Sequence, residues 1–248
     1  MSNLVIDIGN TRTKVAVFEK NRMLKSSLTD TLTNENIEQI LEEFSDIENA
    51  IISSVRNNTN EIQQIVSQHI PYCIVLDHNT PIPIENHYQT PQTLGKDRLA
   101  AAVGANYVYP NTNLLIIDAG TAITYDFVNN SNQYKGGFIT PGINMRFKAL
   151  HHFTQKLPLL QAIAPQHIEG INTELSIIGG IQYGIEGEAK QIIEHFKLGT
   201  NKLMIILTGG DTKYFEKLLK NYKFVALEII LLGLNIILEF NKIHNYKK

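Results

Sequence analysis

Tryptophan is absent from the 248 residues, cysteine occurs once, and neither sign of charge is in excess. A lone Cys73 cannot form an internal disulfide, which excludes the small secreted folds held together by such bridges. With 22 basic residues against 24 acidic ones the net charge is −2, so there is no broad positive field to attract nucleic acid. No apolar run reaches the ~20 residues needed to cross a bilayer. The most apolar segment, VALEIILLGLNIIL at 225–238, carries Glu228 and Asn235 and reads as a packed helix, so no membrane role is expected. Neither a Walker A sequence nor a dinucleotide fingerprint occurs, so any bound phosphate must have another cradle. The opening MSNLVIDIGN has Asp7 inside its only apolar run, unlike a secretory leader, and the cytoplasm is the expected compartment.

What is present is ordinary globular material, 43% hydrophobic and 19% charged, in a length that suits one large or two modest domains. LVIDIG, TKVAVFEK and MLKSSLTD read as an antiparallel meander. In NENIEQILEEF, Ile37, Ile40, Leu41 and Phe44 recur at helical spacing, and the strand candidate AIISSV follows at 50–55. A helix NEIQQIVSQHI and a strand YCIVLD come next, then a loop over 78–93 marked by Pro81, Pro83 and Pro91, then a helix from GKDRLAAAVGANYVY.

At Leu114 the opening pattern returns. LLIIDAGTAITYDFVNN lies beside LVIDIGNTRTKVAVFEK with Asp118 under Asp7 and Gly120 under Gly9, 111 residues apart. The strand-turn stretch QYKGGFITPG, helices over 144–152 and 174–197, the strand KLMIILTGG and two closing helices complete the second half. A βββαβα-like order occurring twice predicts an α/β fold of two mixed sheets flanked by helices with a cleft between domains 1–112 and 113–248.

The chemistry concentrates in the two hairpins. In DIGNTRTK the glycine permits a tight turn whose amides face an anion, and Asn10, Thr11 and Lys14 can hold phosphates. Asp7, leaving a strand end, can orient a hydrated magnesium ion. A plain hairpin built of turn-forming residues explains one such copy, but DAGTAIT repeats it with Asp118, Gly120, Thr121 and Thr124, and two opposed copies make a nucleotide clamp. Asp118 suits either magnesium or potassium.

Taken together, DIGNTRTK, YQTPQTLGKDR, DAGTAITYD, GGFITPGI, the Leu157-Pro158 pair, NTELS and LTGGD resemble the type III pantothenate kinases, of the actin-like (ribonuclease H-like) superfamily that includes acetate and sugar kinases. DxGT-like turns are widespread there, whereas GKDR downstream of a tyrosine together with NTELS points to this one family. The resemblance implies duplicated actin-like domains and transfer of phosphate from ATP, with Mg2+, to pantothenate, the first step of coenzyme A synthesis, with K+ or NH4+ as activator. It assigns ATP to Asp7, Ile8, Gly9, Asn10, Thr11, Arg12, Thr13, Lys14 and Thr121, and the monovalent cation to Asp118. It makes Asp97 the acceptor of the substrate hydroxyl proton, where the plainer reading is a carboxylate at a helix start. Tyr88, Gly95, Lys96 and Arg98 become substrate contacts; a loop-anchoring aromatic and a surface salt bridge are the alternatives for Tyr88 and Arg98. Thr173 in NTELS is implied to reach the substrate site of a neighbouring subunit, hence a homodimer, and otherwise reads as a helix cap.

Gln155 and Leu232 depart from the family pattern, and the adjacent His151 and His152 point in different directions with no metal spacing. The competing readings are a kinase of the same fold acting on a sugar or carboxylic acid, and a nucleotide-binding regulator without fast chemistry.

Overall fold

A computed structural model describes residues 1–56, 59–200, 202–220, 222, 224–226 and 228–245. It divides into one unit of Met1–Pro110, Asn132–Tyr134 and Glu228–Lys248 and a second of Asn111–Ser131 and Lys135–Leu227.

The first unit contains β1 (Ser2–Ile8), β2 (Thr13–Glu19), β3 (Arg22–Thr29), α1 (Asn34–Glu43), β4 (Ile47–Ser54), α2 (Thr59–His69), β5 (Tyr72–Val75), β6 (Glu85–Asn86) and α3 (Lys96–Val108). Its five-stranded sheet has the order β3-β2-β1-β4-β5, antiparallel on the meander side and parallel on the other. Every residue of β1 is buried, as expected of a central strand covered on both faces. β3, at the edge, is largely exposed and polar, a composition that discourages pairing with another chain. One face of the sheet sends Leu4, Ile6, Val15, Val17 and Ile52 into a core with Ile37 of α1 and Val66 of α2. Thr33 caps α1 by accepting from Asn36 N while Asn36 Oδ1 accepts from Thr33 N, satisfying two helix-end donors.

The C-terminal helix also belongs to this unit. α7 (Ile229–Asn245) packs on the alanine-rich α3, and the two helices meet backbone to backbone: a Cβ added at Gly104 would lie 2.2 Å from Ile229 O, and one at Gly233 would lie 1.8 Å from Ala100 O. Buried Asn235 accepts from Asn3 Nδ2 at 2.8 Å and donates to Lys20 O at 2.7 Å, so its amide is satisfied by the meander. A divide at residue 112 leaves α7 with the second half; these contacts place it with the first.

The second unit contains β7 (Asn113–Ala119), β8 (Ala122–Val128), β9 (Gln133–Pro141), α4 (Ile143–Phe153), α5 (Thr173–Leu198), β10 (Leu203–Thr208), α6 (Thr212–Leu218) and β11 (Phe224–Ala226). Its strands follow the order β9-β8-β7-β10-β11, which is the order of the first sheet repeated. Ile177, Ile181, Ile185, Ala189 and Ile193 form a buried stripe along α5 that packs on Leu115, Ile117, Ile123, Tyr125 and Leu207. The first two residues of β9, Gln133 and Tyr134, lie within the first unit and pair in parallel with β6.

Three local expectations change. QYKGGFITPG is strand from Gln133 through Pro141, with Gly137 letting the backbone of Tyr125 approach within what would be 1.7 Å of a Cβ. The loop over 78–93 contains β6 and a 3-10 turn at Pro91–Thr93. The apolar segment at 225–238 begins in a strand, since residues 224–226 pair with β10, and becomes helix only at Ile229.

Candidate active site

In the first unit the β1–β2 turn spans residues 9–12, and Gly9 N donates to Arg12 O at 3.0 Å to close it. Gly9 does not adopt a positive φ; its small size serves instead where a Cβ would stand 3.1 Å from Arg12 O. Asn10, Thr11 and Arg12 are exposed at the tip, while the side chains of Ile8 and Thr13 are buried in the sheet below. Lys14 lies across from Asp7 in the β1–β2 register, and its Nζ donates to Glu228 Oε2 at 3.0 Å.

Asp7 is buried, and burial pushes its carboxyl up from the usual 3.8 to about 6. The negative charge of Asp97 adds to the rise, while the Ser53 hydroxyl and the Lys14 charge oppose it. Asp97 stands in the first turn of α3, just after Gly95 and Lys96. A side chain at Gly95 would come within 2.6 Å of Asp97 Oδ1, so glycine leaves the carboxylate room. The buried Arg98 places its guanidinium carbon 5.7 Å from the centroid of the Tyr88 ring, which in turn lies 6.2 Å from the ring of buried Tyr134. Asp7 and Asp97, and Tyr88 with Arg98, are thus brought together within one unit, although 90 residues separate the two aspartates in sequence.

In the second unit, Asp118 faces Thr124 across the β7–β8 register. Here Gly120 N donates to Ala122 O at 3.0 Å, and Ala119 pairs with Ile123 where Ile8 pairs with Thr13, so this turn is one residue shorter. Thr121 is exposed at its tip. Two further turns close on the same hairpin. Gly142 N donates to Thr121 O at 3.1 Å, and a Cβ at Gly142 would lie 2.2 Å from Gly120 O. Gly209, at φ +95°, would place a Cβ 2.3 Å from Asp118 Oδ1 and 2.4 Å from Ala119 O. GGFITPG and LTGGD therefore converge on DAGT, with glycine wherever backbone meets backbone.

Thr173 is exposed and is the first residue of α5; the helix is capped by Asn172, whose side chain accepts from Leu175 N at 2.9 Å. The alternative reading of Thr173 as the helix cap therefore does not hold, since its neighbour fills that place. Thr173 instead lines a cavity of about 760 Å3 with Arg146, Leu150, Leu157 and Ile177. His151 and His152 are exposed, and the Nδ1 of His151 sits 2.8 Å from Leu157 O.

Two arginines near these turns carried no sequence signal. Arg56, beyond β4, donates from Nε to Gly9 O at 2.8 Å and from an Nη to Asn10 O at 3.0 Å. Arg146 of α4 donates to both oxygens of Glu188, at 2.9 and 2.8 Å, and through Nε to Pro141 O. Arg56 lies 47 and 46 residues from the carbonyls it holds and Arg146 lies 42 from Glu188, and no periodicity records such pairings. Among the described residues no cluster of three His, Cys, Asp or Glu side chains is arranged to hold a metal, and no helix is long and apolar enough to cross a membrane.

The type III pantothenate kinase family model matches residues 3–195. A type III pantothenate kinase from Christiangramia forsetii is 44% identical over 242 residues, covering 97% of this chain and 99% of that protein. A solved structure from Campylobacter jejuni, described as a Baf family transcriptional activator, matches with a TM-score of 0.62 at 24% identity, covering 96% of this chain and 98% of the other. The activator of 2-hydroxyisocaproyl-CoA dehydratase from Clostridium difficile, with bound ADPNP, matches with a TM-score of 0.56 at 13% identity, covering 100% and 97%. The solved structures speak for the fold alone, and it is the duplicated actin-like one. With the family model covering most of its length and a relative of this identity spanning nearly all of it, the chain belongs to the type III pantothenate kinase family.

Proposed function

We propose that this protein transfers the γ-phosphoryl group of ATP to the primary hydroxyl of pantothenate, giving 4′-phosphopantothenate and ADP, and so opens coenzyme A synthesis. The observation that carries the reading is full-length family likeness meeting a site whose carboxylate, Asp97, is given space by Gly95 beside the buried Arg98. In the reaction the substrate hydroxyl oxygen forms a bond to the γ-phosphorus, the bond from that phosphorus to the ADP oxygen breaks, and the hydroxyl proton passes to Asp97. Phosphoryl transfer asks the protein mainly for position and charge stabilisation, so a carboxylate that orients and partly deprotonates the hydroxyl suffices.

The β1–β2 segment, from Asp7 through Ile8, Gly9, Asn10, Thr11, Arg12 and Thr13 to Lys14, and Thr121 bind ATP. Because Ile8 and Thr13 are buried, they contribute through the backbone they shape. Tyr88, Gly95, Lys96 and Arg98 hold pantothenate, the Arg98 fork facing its carboxylate or amide. One like charge, Asp97, beside the buried Asp7 carboxyl fits a divalent cation: Asp7 would orient magnesium through water, and the ion would supply neutralisation of phosphate charge. Asp118, with the Ala119 carbonyl nearby, offers oxygen ligands suited to K+ or NH4+. Thr173, exposed on its cavity, serves the substrate site of a second copy in a homodimer, and the enzyme works in the cytoplasm.

Release of ADP measured with and without pantothenate and K+ tests the reaction directly. Substrate-dependent turnover stimulated by K+ is expected; turnover only with a sugar or a short carboxylic acid would replace the acceptor, and none at all would leave a nucleotide-binding regulator. Asp97→Asn is expected to lower kcat by roughly 100-fold or more with nucleotide binding retained, the scale of a positioned proton acceptor.

A further inference from the structure

The turn assigned above to ATP phosphates is held from behind by a side chain that neither the repeat nor the family likeness singles out. Arg56 sits two residues beyond the end of β4, where Ser54 fixes its approach: Ser54 Oγ accepts from Arg56 N and donates to Arg56 O, both at 3.0 Å. From there the guanidinium spreads its rigid fork over two successive carbonyls, those of Gly9 at 2.8 Å and Asn10 at 3.0 Å.

Peptide planarity turns this into a statement about the opposite side of the turn. In a trans peptide the carbonyl of one residue and the N–H of the next point in opposite directions, and no cis bond occurs among the described residues. With the carbonyls of Gly9 and Asn10 turned to Arg56, the N–H groups of Asn10 and Thr11 are turned away from it. Neither of those amides donates to another group among the described residues. Two neighbouring unpaired N–H groups on one side of a tight turn form an anion-binding concavity.

We propose that Arg56 is a positioning residue for nucleotide binding: it fixes the two peptide planes that aim the Asn10 and Thr11 amides at the phosphates, without touching the phosphates itself. This rests on the assignment of residues 9–12 to ATP. The side chain adds positive charge to the same turn, so Arg56 contributes both orientation and field.

Arg56→Ala, Arg56→Gln and Arg56→Lys separate these contributions. In Arg56→Ala, KM for ATP and the dissociation constant of ADP by calorimetry are expected to rise about tenfold, while KM for pantothenate changes less than about twofold and the melting temperature stays close to that of the unaltered protein. Lysine keeps the charge but lacks the fork, so it recovers only part of the loss and more than glutamine does; methylguanidinium added to Arg56→Ala recovers part as well. A folded Arg56→Ala protein with unchanged nucleotide affinity, or with nucleotide and pantothenate KM raised equally, overturns the proposal. Should Arg56→Ala fail to fold, the lysine variant decides: full nucleotide affinity overturns the fork argument and a several-fold loss supports it. Calorimetry with ADP needs no turnover, so failure of the unaltered protein to phosphorylate pantothenate would count against the function and leave this test standing.

Discussion

The two hairpins share a topology and are braced by different means. In each sheet the segment after the fourth strand reaches the tip of the hairpin formed by the first two, and a second segment adds to the brace. In the first unit this is done by side chains: Arg56 ties down the carbonyls of Gly9 and Asn10, and Lys14 pairs with Glu228. In the second it is done by backbone, with Gly209 against Asp118 and Ala119, Asp211 N donating to Ala119 O at 2.9 Å, and Gly142 against Gly120 and Thr121. A duplicated fold conserves where its turns meet, and leaves open whether charge or close approach joins them. The first hairpin is therefore adjustable by chemistry, and the second only by volume.

The largest expected effect on stability tests the volume side. Gly142→Ala forces a methyl group against two carbonyl oxygens that cannot rotate away, and a loss of about 3 kcal/mol or more is expected in urea unfolding. Gly209→Ala adds the strain of φ +95° to a similar clash and should cost as much. A loss below about 0.5 kcal/mol, the range of ordinary surface changes, would break the contrast.

Next comes the charge side, through Asp7. Its carboxyl is raised from 3.8 to about 6 in the folded protein, so the folded state holds the proton more tightly than the unfolded chain. The associated stability is complete below about pH 4 and is lost as pH rises through about 6. Asp7→Asn removes this dependence: the nucleotide-free variant is expected to exceed the unaltered protein by up to about 3 kcal/mol at pH 7.5 and to converge with it near pH 4. A difference independent of pH would show that Asp7 does not carry the effect. The smallest change is expected at Glu228→Ala, where one partner is 61% exposed. It should move stability by about 0.5 kcal/mol, and less at high salt; a larger cost would mean that the Lys14 pair is a principal brace of the first hairpin.

Much of the fold was legible because its signals are local. Alternation in LVIDIG and TKVAVFEK, the helical spacing of Ile37 and Leu41, and the return of the pattern at Leu114 each depend on neighbours a few residues apart, and the two sheets repeat one strand order. The candidate site was legible as far as its residues fall in compact blocks such as DIGNTRTK and GKDR. Arg56 was not, because its partners lie 47 and 46 residues away. Which residue caps α5 is not legible either, because Asn172 and Thr173 are both competent caps and only backbone geometry chooses between them.

The two hairpins divide in the same way. By itself the sequence determined that there would be two of them, each with an aspartate at a strand end and a glycine turn, since strand period and turn chemistry are written residue by residue. Tertiary structure alone decided what braces each one, which glycines are irreplaceable for lack of space, and that the last helix packs with the first unit. Those outcomes depend on long-range contacts, the Gly104 and Gly233 approach and the Asn3 and Asn235 hydrogen bond among them, and a local pattern specifies which face is apolar without specifying what will cover it.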